Sequence, residues 1–182
     1  MNQGRYDLRR ALAVIDRISF WTAKVSGWLI IVMVFILMRE VIGRYFFDAP
    51  TSWANEYNEN LLCWLTMLGG AYCVCTDSHI RVDIVWWNMT MRRRAAVELI
   101  TAAVPLGFMG VVIWLGTQET WDAWLQDKRS MSVLALPQWP SLLAVTMGTV
   151  LMLIQWLARM LRNVIQLRTG KNEHPPILDL VD

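Results

Sequence analysis

Paired thiols are missing from this chain. Cys63, Cys73 and Cys75 contain no CxxC spacing, and Cys73 and Cys75, two residues apart on a helix, point in different directions and cannot readily bridge. This argues against a membrane thiol oxidase, and all three read as small packing residues. Histidine is equally scarce. His79 and His174 are the whole supply, and neither sits midway along an apolar run, where a haem-bearing anchor would want its ligands. Walker, dinucleotide-binding, HExxH and GxSxG motifs are absent as well, which leaves no recognisable catalytic constellation. Charge is missing over whole blocks: 25–38, 60–76, 99–118 and 130–158 hold no Asp, Glu, Lys or Arg.

What remains is oily. Hydrophobic residues make up 55% of the 182, against roughly 45–50% in a soluble domain. A bilayer-spanning helix needs about 20 mostly apolar residues. The first two blocks reach that length if flanking polar side chains such as Lys24 and Arg39 lie at the interface and snorkel. Pro137 and Pro140 divide the fourth block, and proline is tolerated in a helix's first turn, so the last span starts near Pro140. The expected fold is an all-α integral membrane protein. Its four-helix membrane domain occupies 20–160, with spans at about 20–45, 56–76, 97–118 and 140–160.

No cleavable leader is evident before it: the N-terminal stretch is charged and lacks a small-residue cleavage site after an apolar core. Residues 1–19 read instead as a basic amphipathic helix on the cytoplasmic surface. Leu8, Ala11, Leu12, Ile15 and Ile18 line its apolar face, with Arg5, Arg9, Arg10 and Arg17 turned to water. Residues 161–182 form a tail, where His174 lies in the polar, proline-containing "NEHPPILD". The 17 Lys and Arg residues fall five, two, four, two and four along successive flanks, so the positive-inside rule makes both termini cytoplasmic. Tryptophans mark both boundaries: Trp53, Trp121, Trp124 and Trp139 outside, and Trp21, Trp86, Trp87 and Trp156 inside.

Two polar groups interrupt this plan. Arg39, Glu40 and Arg44 close the first span, with Glu40 and Arg44 on one helix face at i, i+4. The short connection brings Glu56 and Glu59 of the second helix within reach of Arg39 or Arg44, as an internal ion pair or as a docking surface for a partner. The second group is "CTDSHIRVDIV", 75–85, at the cytoplasmic end of the second span. Gly69-Gly70, Gly107 and Gly110 read as sites of close helix approach. Pro105 stands alone as a kink in the third span.

Three blocks carry a family resemblance: "GRYFFDAPTSWANE", "NEYNENLLCWLTMLGGAYCVCTDSHIRVDIV" and "RSMSVLALPQWP". Across about 20–160 the chain resembles the small membrane subunit, DctQ-like, of tripartite ATP-independent periplasmic (TRAP) transporters. The second block is the most distinctive, with Glu56, Trp64-Leu65-Thr66, Leu68-Gly69 and His79-Ile80-Arg81-Val82-Asp83. Glu59 departs from the family, which often has a basic residue there.

The resemblance implies a non-catalytic scaffold in the bacterial inner membrane. Its partners would be membrane lipids, a large multi-span subunit resembling an elevator-type, sodium-coupled carrier, and a periplasmic protein delivering a carboxylate-type solute. Nucleic acid has no part in this, and sodium and solute belong to the large subunit, so no cofactor is expected on this chain. His79, Arg81 and Asp83 would hold the cytoplasmic turn or contact the large subunit. Val82, Val85, Trp86 and Met89 would follow as one apolar face of an interfacial helix. The competing expectation, a membrane anchor for a redox enzyme, differs by a visible absorption spectrum.

Overall fold

The computed structural model describes residues 3–76, 97, 101–132 and 134–169, which carry four long helices. They are α1 (Gln3–Phe46), α2 (Trp53–Cys75), α3 (Ala103–Leu125) and α4 (Trp139–Thr169). α1 packs on α2, α2 on α4 and α4 on α3, with a smaller α1–α4 contact.

Facing pairs set the directions. Ser26 meets Gly69, Phe20 meets Tyr72 and Asp16 meets Cys75, so α1 and α2 are antiparallel. Asn60 meets Ser141, Met67 meets Gly148 and Gly70 meets Met152, so α2 and α4 run parallel. Gly116 meets Thr146 and Trp124 meets Trp139, so α3 returns antiparallel to α4. The start of α1 and the ends of α2 and α4 therefore share one end of the bundle.

Burial is reversed from that of a water-soluble core. Most buried apolar residues among those described are alanines: Ala54, Ala71, Ala102, Ala123, Ala144 and Ala158. Large side chains point outward, as with Trp28 and Phe35 on α1 and Phe108 and Trp114 on α3. Small residues at helix contacts with bulky ones outside are the packing pattern of helices in lipid, where close backbone approach replaces hydrophobic burial. By length and composition α1 and α4 are sufficient to cross a membrane.

Three expectations change. The N-terminal amphipathic segment is no separate element, because α1 is one unbroken helix of 44 residues, about 66 Å long at ~1.5 Å per residue. No Gly or Pro interrupts 5–26, so nothing ends the helix before the apolar run. Its inward face carries Leu12, Asp16 and Ser19, whereas Ala11 and Ile18 are exposed. The third helix, expected over 97–118, continues to Leu125. Pro105 lies in the first turn of α3, where a missing N–H costs nothing, and it produces no mid-helix kink.

Glycine contacts also fall elsewhere. A Cβ on Gly107 or Gly110 would meet nothing within 4 Å, so these are not close approaches. The tight crossings are at Gly148, where a Cβ would stand 2.5 Å from Met67 Cβ, and at Gly116, 2.6 Å from Thr146 Oγ1. Gly70 faces the flexible end of Met152.

The helix reversals follow from local chemistry. After α1 the N–H groups of Phe47 and Ala49 both donate to Gly43 O, at 3.2 and 3.1 Å. Asp48 takes a left-handed φ of 46°, and Pro50 blocks continuation. After α3 Asp127 does the same with φ 46°, and Lys128 N–H reaches back to Ala123 O at 3.1 Å, a Schellman-type closure. Asp is among the few non-glycine residues that enter this region readily.

Candidate functional site

Two polar clusters tie the helices, one at each end. The first joins α1 to the start of α2. Glu40 is almost wholly buried. Its Oε1 accepts from Arg44 Nη2 at 3.0 Å and from the Thr51 backbone N–H at 3.2 Å, and its Oε2 accepts the Thr51 hydroxyl. Arg39 Nη1 donates to Thr51 Oγ1 at 3.2 Å, and its guanidinium lies 5.0 Å from the Trp53 ring. Glu40 thus ties the connection to α1 beside the first turn of α2, where helix N–H groups favour an anion. The α2 N-cap, Ser52, makes no side-chain cap bond of its own.

Arg39, Glu40 and Arg44 come together as their spacing suggests, but the second helix's acids do not join them. Arg44 pairs within its own helix, and Arg39 engages Thr51 and Trp53. Glu56 is half-buried, with Oε2 lacking a hydrogen-bond partner, and its main-chain carbonyl accepts Asn60 Nδ2 at 3.0 Å. Glu59 is exposed. His79, Arg81 and Asp83 lie outside the described residues, as do Trp86 and Trp87.

The opposite cluster was missed in the sequence. Asp16 of α1 is buried against α4, with Oδ2 2.5 Å from Arg162 Nη2 and Oδ1 accepting from Gln155 Nε2 at 2.8 Å. Ser19 donates to Gln155 Oε1 at 3.3 Å, and Cys75 Sγ lies 3.5 Å from Asp16 Oδ1. Arg162 also approaches Leu12 O at 3.5 Å. Three helices therefore converge on one carboxylate. A signal existed: Gln155, Arg159, Arg162 and Asn163 recur at helical spacing, and Asp16 is the one acid between Arg10 and Arg39.

Between the clusters α2 and α4 are joined by Asn60, which accepts the Ser141 hydroxyl, and by Cys63 Sγ, 3.6 Å from Ser141 O. α3 and α4 share a Thr120–Thr146 contact of 3.4 Å. Cys73 is exposed, so it is not the packing residue its type suggested. No group of three or more potential metal ligands occurs among the described residues. Chemically, these arrangements cross-link helices: Glu40 and Asp16 each spend their oxygens on donors from the same chain.

Comparison with known proteins bears on the same helices. Residues 33–166 match the family described as Tripartite ATP-independent periplasmic transporters, DctQ component. The chain is 29% identical over 105 residues to the C4-dicarboxylate TRAP transporter small permease protein DctQ of Rhodobacter capsulatus, covering 58% of this chain and 46% of that protein. It is 24% identical over 117 residues to the protein of the same name from Vibrio cholerae serotype O1, covering 62% and 50%. The chain spans about half the length of the curated relatives it matches.

Proposed function

Because the chain belongs to the DctQ component family of tripartite ATP-independent periplasmic transporters, we propose that it is the non-catalytic scaffold subunit of such a transporter. In this reading all four helices span the inner membrane, with both termini in the cytoplasm. A large multi-span subunit moves the solute, coupled to sodium, and a periplasmic protein delivers it. The solute is a carboxylate, a class consistent with the C4-dicarboxylate of the relatives' names.

The observation that carries the scaffold role is the use of buried charge. Asp16 holds α1 to α4 at one end of the bundle, Glu40 holds the α1–α2 connection to α1 at the other, and small residues close the middle. A carrier domain that moves needs a stationary surface to move against, and a cross-tied bundle supplies rigidity.

Reconstitution of the complex in liposomes tests the division of labour. Uptake should require this chain and a sodium gradient. His79→Ala should change assembly or rate while the order of preference among competing dicarboxylates stays that of the wild type. A reordered preference in an intact complex would show that this subunit contacts the solute.

A further inference from the structure

The outer flank of α1 carries a stripe that changes character part-way along. Arg10, Arg17 and Lys24 recur every seven residues, alternating with Val14, Trp21 and Trp28, and all six are exposed. Residues at alternating spacings of four and three share one side of a helix. Beyond Lys24 the stripe continues through Ile31, Phe35 and Met38, also exposed and wholly apolar. The change coincides with a bilayer edge in the membrane reading proposed above, on which this inference rests. Twenty residues separate Lys24 from Arg44, a rise of about 30 Å, and the hydrocarbon core is about 30 Å thick.

We propose that this stripe seats an anionic phospholipid of the cytoplasmic leaflet, its phosphate between Lys24 and Arg17 and its acyl chains along Trp28, Ile31 and Phe35. The lysine is already arranged for that role. Its Nζ sits 4.6 Å from the Phe20 ring centre and 5.0 Å from that of Trp21, both one turn nearer the N-terminus, so the ammonium is directed away from the hydrocarbon.

Charge complementarity selects the occupant. The only acid between Arg10 and Arg39 is Asp16, which is buried against α4 and held by Arg162 and Gln155. Arg10, Arg17 and Lys24 form no ion pair among the described residues, so Arg17 and Lys24, beyond a turn from Asp7, present cations without a counter-charge among those residues. A wholly apolar neighbouring helix would cover the apolar half and leave those cations uncompensated, whereas an acidic headgroup attached to two acyl chains matches both halves. The unbroken course of α1 matters here, because a bend at the membrane surface would separate the halves.

The test uses the full chain, purified with its accompanying subunits from membranes containing phosphatidylglycerol and phosphatidylcholine, with retained lipids counted by native mass spectrometry. Phosphatidylglycerol should be retained preferentially. Arg17→Gln and Lys24→Gln should each lower that preference about fivefold, the equivalent of about 1 kcal/mol per juxtamembrane charge. The charge-preserving Arg17→Lys with Lys24→Arg should keep it, and Lys128→Gln, at the other end of the bundle, should leave it unchanged. Equal retention of both lipids by the wild-type chain would overturn the proposal. So would loss of an accompanying subunit from the Arg17→Gln, Lys24→Gln variant at an unaltered lipid ratio, which would make the stripe a protein-docking face. A chain that failed to fractionate with membranes would instead overturn the membrane reading, and this one with it.

Discussion

Asp16 and Arg162 set the sharpest energetic constraint on a single position. Their side chains are 3% and 4% exposed, so neither charge has water to fall back on if the other is removed. Breaking a buried pair costs about 3–5 kcal/mol, whereas replacing both partners with apolar residues of similar size is often neutral or stabilising. Arg162→Met should therefore lower the melting temperature of the detergent-solubilised chain by roughly 6–20 °C, at about 2–4 °C per kcal/mol for this size. Asp16→Leu combined with Arg162→Met should recover most of the loss, and a double variant as unstable as the single one would show that the pair is incidental. At this scale the sequence was half legible. Glu40 with Arg44 follows from i, i+4 spacing on one helix, so both partners are visible in one window. Asp16 with Arg162 joins residues 146 apart, and no local periodicity links them. Glu56 does not pair with Arg39 or Arg44 within the chain, because Thr51 and Glu40 already serve as their acceptors.

At the scale of the helix, contact depends on which small residues face a neighbour. Gly148→Ala should drive α2 and α4 apart, because the new methyl would meet Met67 Cβ at 2.5 Å and its backbone C and Cα at 3.0 Å. Overpacking of this kind costs about 1–3 kcal/mol. Gly107→Ala has open space within 4 Å and should raise helix stability by up to about 1 kcal/mol. Melting of the two variants side by side should move in opposite directions, and equal behaviour would refute the assigned helix faces. The order of the four described helices could be read from apolar blocks and the prolines around them. The faces could not. Gly107 and Gly110, three residues apart, share one helix face, yet they lie on a flank of α3 away from α4, while Gly116 and Gly148, in unremarked surroundings, mark the crossings. Nor did composition reveal that α1 runs straight through the expected boundary near residue 20, since a run of charged residues does not end a helix unless something breaks its backbone.

For the whole molecule the decisive quantity is direction across the membrane. The structure fixes which helix ends share a side, and in the function proposed above the Lys and Arg distribution places that side in the cytoplasm. Single cysteines at Asn2, Asp127 and Asn172, in a chain without Cys63, Cys73 and Cys75, should report it. In intact spheroplasts an impermeant thiol reagent should label Asp127→Cys alone. Labelling at Asn2→Cys and Asn172→Cys would invert the molecule, and with it the proposal that the basic stripe meets the inner leaflet.

The order of neighbours, α1–α2–α4–α3, has a consequence for how the chain is made. Helices emerge from the ribosome in numerical order, and domains or hairpins that complete early can fold while the rest is synthesised. α1 and α2 find each other at once, with Glu40 and Thr51 closing the turn between them. α3 arrives next and has its extensive contacts with α4 alone among the described helices. During biogenesis it is a bystander. Gly116 and Thr120 wait on one face until Thr146 is threaded in, and any pause before α4 leaves the newcomer accessible to insertion chaperones and membrane proteases.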